Sequence, residues 1–436
     1  MTSSRLIGSL ATTPELAEIF SDGAVIAAFL RFESTLARAQ ARIGLIPESA
    51  AQAIARIQAD ELDAVEIARD ARTHASIAIP LVRALTARVE SIDEPAARFV
   101  HWGATSQDAI DTTMSLLLVA ARPLLARDHA RLEQSLRDLS GKHASTVMLA
   151  RTLLQPAPPI TFGYKAAVWY AAIHRSWTRL CGAFDQAAVL QFGGASGTLA
   201  SYRDRGSALA IELAKELELP YAGAPWHTDR GRIAELVADC GIYTAGLGKI
   251  ARDVSLLMQP EVGELAEPGG GSSAMPNKRN PSGSVIALAA AARMPGTVAA
   301  FLTAMVQEHE RSAGGWQSEW PTVADAVETT GSALAAMAAS IEGLSIFPDR
   351  MRANLDATRG TIFAEKARML VQAKIGRDRA HRLLAEAAAS GLPFGEALWQ
   401  QPEIAALLSP EQIAAIDAPE DYLGAAEEFR RKLLED

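Results

Sequence analysis

The chain has 436 residues and a formal net charge of −9 at pH 7. This length suffices for two or three domains with a sizeable core, which excludes a peptide or a small module. The acidic balance argues against a nucleic-acid surface, and a hydrophobic fraction of 49% with only 6% aromatic residues favours packed helices over a β-sandwich or barrel.

Short helices are predicted at both ends of the chain, where breaks recur at close intervals. The breaks before residue 110 fall at Gly44, Pro47, Pro80 and Pro95. Those after residue 345 fall at Pro348, Gly360, Gly376, Gly391 and Pro393. The two ends are therefore predicted to form flanking helical domains.

Much longer helices are predicted in the middle of the chain. Apolar residues recur at steps of three or four across residues 229–260, which predicts one long amphipathic helix. Similar patterns cover residues 161–190, 282–309 and 322–341. No alternating strand pattern is found, so the sequence predicts almost no β-structure.

The prediction is therefore an all-α fold of three helical domains, 1–109, 110–345 and 346–436, the central one a bundle of long helices. At ~1.5 Å per residue such helices are roughly 45 Å long. They expose more apolar surface than one bundle can bury, so a homo-oligomer is expected.

Other segments indicate a cytoplasmic protein. Cys181 and Cys240 lie in apolar helical patterns without metal-ligand spacing, which is typical of reduced core cysteines. No signal peptide is expected at the start of the sequence. The most apolar stretch, 285–305, is interrupted by Arg293 and Pro295, which predicts a buried helix and no membrane span.

The most informative segment is the loop of residues 269–281, called the signature loop below. It begins with three glycines, followed by Ser272 and Ser273, and continues to Lys278, Arg279 and Asn280. The glycines permit backbone conformations that turn amides toward an anion, and they act as a hinge opposite the stiff Pro276 and Pro281. A flexible linker is the alternative, but the cation and the amide favour an active-site lid.

A second polar segment, 101–112, precedes the first long helix. Its hydroxyl and amide groups stand where a helix N-terminus binds carboxylates. A plain helix cap by Thr105, Ser106 or Asp108 is the alternative.

Charged residues near position 309 leave two interpretations open. His309 and Arg311 either add positive charge to a pocket or form surface salt bridges. Adjacent residues on a helix point to different faces, and no metal-ligand spacing occurs there, so no metal is predicted.

The signature loop resembles the GSSxMPxKxNP pattern of the fumarase/aspartase superfamily at every fixed position. The resemblance implies that Ser272 is the general base that removes a proton from a carbon next to a carboxylate, and that Lys278 and Asn280 hold that carboxylate. Such chemistry builds a dianionic aci-carboxylate, which fixed cations and amides must already face. Ser273 and Met275 are assigned to substrate binding in the same loop.

Residues 101–112 resemble the first superfamily signature, which makes Thr105 and Ser106 substrate-carboxylate ligands. Residues 151–159 resemble the second signature, with Leu153 where most lyases have a histidine that protonates the leaving group. A departing carboxylate, with a pKa of about 4, needs no such proton.

The resemblance extends over nearly the whole chain to the family of 3-carboxy-cis,cis-muconate cycloisomerases, on motifs such as 191–197, 225–228 and 307–312. It implies lactonisation of that muconate in the protocatechuate branch of the β-ketoadipate pathway, without a cofactor. Further substrate contacts are assigned to His101, Thr152, Gln155, Arg279, His309 and Arg311. Each site is expected to be shared by three subunits of a homotetramer.

Departures from the family pattern at Asn277, Asp229, Leu153 and Pro156 leave the substrate open. The alternatives are a 3-sulfomuconate cycloisomerase, or a lyase that is adenylosuccinate-type or expels a stable anion such as nitrite. Leu153 argues against the adenylosuccinate type. An inactive helical scaffold is the alternative outside enzymes, and the intact Ser272, Lys278 and Asn280 argue against it.

Overall fold

The computed structural model describes residues 6–271, 275 and 278–435. Helices dominate this part of the chain, as predicted. The N-terminal helices are short, and polar caps such as Thr13, Ser21, Asp63 and Asp93 accept backbone N–H groups at their starts. The helices are α1 (Pro14–Ile19), α2 (Asp22–Arg42), α3 (Glu48–Ala55), α4 (Ala64–His74), α5 (Ala78–Glu90) and α6 (Glu94–Ala97).

The middle of the chain contains the long helices that the apolar periodicity predicts. They are α7 (Ser106–Lys142), α8 (Phe162–Ala187), the shorter α9 (Gly206–Leu217), α10 (Gly231–Leu257), α11 (Ser282–Ala304) and α12 (Gly315–Glu342). The helix expected over residues 229–260 corresponds to α10, so that prediction is confirmed. The predicted segment 282–309 ends five residues early, at Ala304.

The C-terminal region is again built from short helices. They are α13 (Pro348–Asp356), α14 (Ala364–Ile375), α15 (Arg377–Ala389), α16 (Phe394–Trp399), α17 (Pro402–Ala405), α18 (Pro410–Ile416) and α19 (Ala426–Glu435). Turns of 3-10 helix lie at Leu6–Gly8, Ala59–Glu61, Ala200–Arg205, Thr361–Phe363 and Pro419–Tyr422.

The prediction of almost no β-structure is confirmed for the described residues, with one hairpin that the sequence pattern did not indicate. Strands β1 (Val147–Thr152) and β2 (Gln155–Thr161) form an antiparallel hairpin between α7 and α8. Its three prolines lack amide donors and obscure the alternating pattern, and Pro158 falls at the register shift of the ladder. The much shorter β3 (Leu265–Ala266) and β4 (Ser345–Ile346) also pair antiparallel.

The chain divides into two compact units. The first unit comprises residues 1–130, 175–249 and 285–337, and the second comprises 131–174, 250–284 and 338–436. In the first unit, α2 packs on α3 and α9 around buried residues such as Phe29 and Leu209. In the second, Phe363 and Phe394 belong to the core. The division into three domains at residues 109 and 345 stays a prediction.

Among the residues that the structure describes, two helices are long and apolar enough to span a membrane on length and composition alone, α7 and α11. The most apolar window of α7 is 61% buried, whereas that of α11 is only 22% buried. The prediction of a buried helix over residues 285–305 is therefore wrong for the single chain.

Candidate active site

The first group of predicted site residues lies at the start of α7, in the first unit. Thr105 immediately precedes the helix, and its backbone N–H donates to Asp108 Oδ2 at 3.1 Å. Asp108 is the third residue of the helix, so its side chain reaches back as in a capping box. Thr105 and Ser106 are half-buried at this helix start, where the free N–H groups and the helix dipole favour an anion.

Asp108 makes further contacts, all of them from N–H donors. Its carboxylate accepts from Gly193 N at 2.9 Å, Gly194 N at 2.8 Å and His227 Nε2 at 2.8 Å. The side chain of Asp108 is fully buried, and His227 is 5% exposed. The loop of residues 193–197, called the glycine loop below, is thereby held next to the start of α7.

Arg311 contacts the same two segments from the segment between α11 and α12. Its guanidinium donates to Thr105 Oγ1 at 3.2 Å, to the Ala195 carbonyl at 2.9 Å and to the Gly194 carbonyl at 3.4 Å. A guanidinium can only donate, so the Thr105 oxygen accepts and its hydroxyl proton remains available for a substrate oxygen. Arg311 therefore brings a positive charge next to Thr105, the residue predicted to bind a substrate carboxylate. His309, two residues earlier, is exposed.

His101 is held by a buried carboxylate. Its Nδ1 lies 2.5 Å from Glu33 Oε1, and the side chain of Glu33 is 1% exposed. The other carboxylate oxygen of Glu33 has no hydrogen-bond partner among the described residues. The contact uses Nδ1 and leaves Nε2 of His101 for a ligand.

The pKa of His101 is raised above its usual value. Burial alone lowers that pKa, but the charge and hydrogen bond of Glu33 outweigh the effect, and the charge of Asp108 adds to them. His101 therefore retains its positive charge to higher pH than a free histidine.

A buried polar network supports the first turns of α7. Asp111 accepts from Arg230 at 2.8 and 3.2 Å and from the Trp316 indole at 2.9 Å. Arg230 also donates to Glu319 at 2.6 Å. One cation thus faces two buried carboxylates, and burial together with the charge of Asp111 raises the pKa of Glu319 to about 7 against the opposing effect of Arg230.

The second group of predicted residues lies in the second unit, at the tip of the hairpin. Thr152 and Gln155 are paired at its end and exposed. Leu153 and Leu154 form the two-residue turn, with φ of 49° and 65°. Both are in the left-handed region, as a type I′ turn requires, although the sequence lacks the Asn-Gly or Gly-Gly that such turns favour. The two leucines are 96% and 73% exposed.

An ion pair joins the hairpin to the segment that leads into the signature loop. Arg151 donates to both oxygens of Glu264, at 3.0 and 2.7 Å, and the Glu264 side chain is fully buried. Asn354 also donates to Glu264, at 2.7 Å. Bidentate contacts of this kind fix geometry as well as charge, so the positions of Thr152 and Glu264 are linked.

The base of the signature loop is closed by its own backbone. Asn280 N donates to the Gly270 carbonyl at 2.7 Å, and Gly271 and Arg279 form an antiparallel bridge. Gly270 has φ of 73°, and a Cβ there would lie 2.0 Å from the Asn280 carbonyl oxygen. Only glycine fits this position.

Glu267 also joins the two stems of the loop. Its carboxylate, 2% exposed, accepts from Gly283 N at 2.9 Å and Ser284 N at 3.0 Å at the start of α11. Lys278 and Arg279 are exposed, Met275 is 50% exposed and Asn280 is half-buried. Ser272 and Ser273 lie outside the described residues, so their predicted roles stay predictions.

The structure thus brings the predicted residues together in two groups. His101, Thr105, Ser106 and Arg311 belong to the first unit, and those of the hairpin and the signature loop belong to the second. Sequence reasoning missed Glu33 and the network around Arg230, and treated Asp108 only as a cap. Among the residues that the structure describes, no cluster of three or more His, Cys, Asp or Glu could hold a metal ion.

The chain is similar to known proteins over most of its length. A family model described as a lyase matches residues 9–296. A 3-carboxy-cis,cis-muconate cycloisomerase of Bradyrhizobium diazoefficiens is 44% identical, covering 98% of this chain and 99% of its own. A nitrosuccinate lyase of Streptomyces davaonensis is 40% identical, covering 95% of this chain and 91% of its own.

A solved structure agrees with the fold over almost the entire chain. The 3-carboxy-cis,cis-muconate lactonizing enzyme of Pseudomonas putida matches with a TM-score of 0.92 at 40% identity, covering 99% of this chain and 98% of the other. The chain therefore belongs to this lyase family, an all-α enzyme family of the fumarase/aspartase superfamily. Within it, the similarity to 3-carboxy-cis,cis-muconate cycloisomerases extends over nearly the whole chain, as the motifs predicted.

Proposed function

We propose that the protein is a cycloisomerase that converts 3-carboxy-cis,cis-muconate into 4-carboxymuconolactone. One substrate carboxylate adds to a carbon–carbon double bond, so a C–O bond forms, and the carbon beside a second carboxylate takes up a proton. The electron pair of the double bond passes through an aci-carboxylate before it forms the new C–H bond. The observation that carries the proposal is full-length similarity to relatives named for this reaction.

The proposed roles follow the resemblance of the signature loop. Ser272 transfers the proton to and from carbon, while Lys278 and Asn280 hold the carboxylate beside that carbon. A serine hydroxyl is a weak base at neutral pH, so Ser272 requires an electropositive, water-excluded setting. The adjacent cations Lys278 and Arg279 support this assignment.

The first unit supplies carboxylate recognition. Thr105 and Ser106 bind a substrate carboxylate at the helix start, and Arg311 donates to the Thr105 oxygen and so strengthens the hydroxyl as a donor. His101, whose pKa is raised by Glu33, binds a second carboxylate through Nε2. A tricarboxylate substrate suits an arrangement with several such donors.

The exposed Leu153 cannot act as a general acid, which supports a reaction whose leaving group departs without being protonated. In the reverse reaction a carboxylate leaves carbon, and a carboxylate is stable as an anion at neutral pH. A nitrite group leaves in the same way, so elimination from nitrosuccinate is the second candidate, favoured by the similarity to the lyase of that name. A sulfomuconate is the third.

The homotetramer with sites shared by three subunits is also part of the proposal. The apolar window of α11 is only 22% buried in the single chain, and Val285 and Leu302 on that helix are 53% and 48% exposed. Packing against copies of the same helix would remove this surface from water. The free cysteines Cys181 and Cys240 suit the reducing cytoplasm in which we place the enzyme.

One experiment separates these candidates. The purified protein is incubated with 3-carboxy-cis,cis-muconate, nitrosuccinate and adenylosuccinate in parallel, and the products are followed by NMR. Lactone formation from the muconate, with slow or no turnover of the others, is the expected result. Turnover confined to nitrosuccinate would favour the second candidate. Consumption of adenylosuccinate alone would overturn the proposal, and no turnover at all would favour an inactive scaffold.

A further inference from the structure

Asp108 has no route to a substrate, because its side chain is fully buried. Its carboxylate nevertheless accepts four hydrogen bonds, from the backbone N–H groups of Thr105, Gly193 and Gly194 and from His227 Nε2. A carboxylate has about four acceptor positions, so this one is saturated. Hydrogen bonds to an ionised acceptor are about twice as strong as neutral ones.

These donors come from three separate segments. Thr105 stands at the start of α7, the two glycines stand in the glycine loop, and His227 precedes α10. The separations in sequence from Asp108 to Gly193 and to His227 are 85 and 119 residues. One side chain therefore contacts three segments that are far apart in the sequence, in addition to hydrogen bonds such as those of Gln107 with His227 and of Thr112 with Gln191.

Arg311 contacts two of the same segments, but as a donor where Asp108 is an acceptor. Asp108 accepts hydrogen bonds from the N–H groups of Gly193 and Gly194, while Arg311 donates to the carbonyls of Gly194 and Ala195. Thr105 is held by both as well, through its N–H by Asp108 and through its hydroxyl by Arg311. The anion and the cation thus fix the Thr105 hydroxyl from two directions.

We propose that Asp108 is a positioning residue of the reaction: it sets the Thr105 hydroxyl and the glycine-loop backbone at the distance that the substrate carboxylate requires. This inference rests on the proposed function, in which Thr105 binds a carboxylate. A misplacement of about 1 Å at such a group costs about 100-fold in rate. The alternative is that Asp108 only stabilises the fold.

Asp108→Asn is the sharpest variant, because the amide has nearly the same shape. Its Nδ2 is a donor and would face N–H groups that donate, so two of the four contacts are lost. We expect kcat/KM to fall about 100-fold. Most of the loss should be in kcat, because a displaced Thr105 hydroxyl weakens binding of the transition state more than binding of the substrate. Asp185→Asn, at an exposed ion pair with Arg122, is the matched control and should leave kcat/KM unchanged.

Hydrogen exchange gives a readout that needs no turnover. In Asp108→Asn, the amides of residues 101–106 and 190–198 should exchange faster, while those of α14 and α15 should not change. A purely structural role predicts a lower melting temperature with kcat/KM within about threefold of the wild type once the protein is folded. That result, or unchanged exchange in both segments, would overturn the proposal.

The Arg311→Gln variant adds a double-mutant cycle. Because Asp108 and Arg311 fix the same hydroxyl, their effects on kcat/KM should be less than additive, whereas independent roles predict additivity. If Asp108→Asn does not fold, His227→Leu removes only one of the four donors, and the same two readouts apply to it. Unchanged kcat/KM and exchange in that variant would refute the inference.

The two proposals fail separately. If the wild type turns over none of the three substrates, the proposed function fails, while faster exchange at both segments in Asp108→Asn still supports the linkage. If the wild type forms lactone and folded Asp108→Asn does so equally well, the proposed function stands and the positioning role is lost.

Discussion

Glu33, in the middle of α2, accepts a hydrogen bond from His101 at 2.5 Å, and this contact determines the charge of an imidazole at the edge of the candidate site. The carboxylate is almost fully buried. Its Oε1 contacts the histidine, and its Oε2 has no hydrogen-bond partner among the described residues. A buried anion that lacks other partners strongly favours a cation beside it. The environment of His101, and not its residue type alone, therefore favours the charged form that the proposed role as an anion ligand requires.

Glu33→Gln should shift the pH dependence of the reaction. The folded pKa of His101 is raised, so its charge is complete at low pH and is lost as the pH rises through that value. Removing the carboxylate lowers this pKa, and the alkaline limb of kcat/KM should move to lower pH. The kcat/KM profile between pH 5 and 9 measures this shift.

The control for this prediction is Glu403→Gln, which changes an exposed ion pair with Arg379. That variant should reproduce the wild-type profile. An alkaline limb that stays in place in Glu33→Gln, with only its height reduced, would mean that His101 does not contribute its charge to catalysis.

Ser272→Ala should abolish turnover while substrate binding persists. Positioned proton transfer contributes about 100- to 10,000-fold to rates, so a loss of this size is expected in kcat. Isothermal titration with the muconate, at enzyme concentrations where the variant does not consume it, should give a dissociation constant close to the wild-type KM. A variant with full kcat would remove Ser272 from the mechanism.

Shared sites predict recovery of activity when two inactive chains are mixed. Ser272→Ala and a Thr105→Ala/Ser106→Ala double variant are each expected to be inactive. If one site draws the serine from one subunit and Thr105 from another, random mixing after dissociation restores about a quarter of the sites. Mixed Ser272→Ala preparations serve as the control, and no recovery in confirmed hetero-tetramers would contradict shared sites.

The long helices could be predicted because their apolar period repeats over many turns, as across residues 229–260 in α10. The hairpin could not, since its prolines hide the alternation and its turn uses Leu153 and Leu154 in place of glycine or asparagine. The pattern of local hydrophobicity reports which face of a helix is buried. It does not report which polar groups that face meets.

Pairings between distant residues account for what was missed in the site. Thr105, Ser106 and Lys278 are predicted from short motifs, which keep their chemistry within a few positions. Glu33 and His101 are 68 residues apart. No local signal distinguishes Glu33 from any other glutamate on a helix until the fold places it beside the histidine.

Leu153→His should not accelerate lactone formation. The substitution restores the residue type that other lyases of the superfamily carry at the hairpin tip, and a general acid gives about 100-fold or more where a leaving group needs a proton. Because the carboxylate needs none, kcat in both directions should change by less than about tenfold. Leu154→His, in the same exposed turn, is the matched control. A gain in kcat specific to position 153 would refute the idea that the leaving group needs no proton.

Glu319→Gln should flatten the pH dependence of stability. Burial and the nearby Asp111 raise the pKa of Glu319 to about 7, so the folded protein holds a proton there that the unfolded chain has released. Folding therefore takes up a proton between the unfolded pKa, about 4.3, and about pH 7, and the free energy of unfolding falls as the pH rises through this window. The slope is at most about 1.4 kcal/mol per pH unit for the uptake of one proton. Urea unfolding of the wild type and of Glu319→Gln at pH 5, 6, 7 and 8 measures the difference, with Glu403→Gln as the exposed control. Equal slopes in the wild type and Glu319→Gln would mean that Glu319 is ionised throughout and that Arg230 stabilises the charged form of both carboxylates.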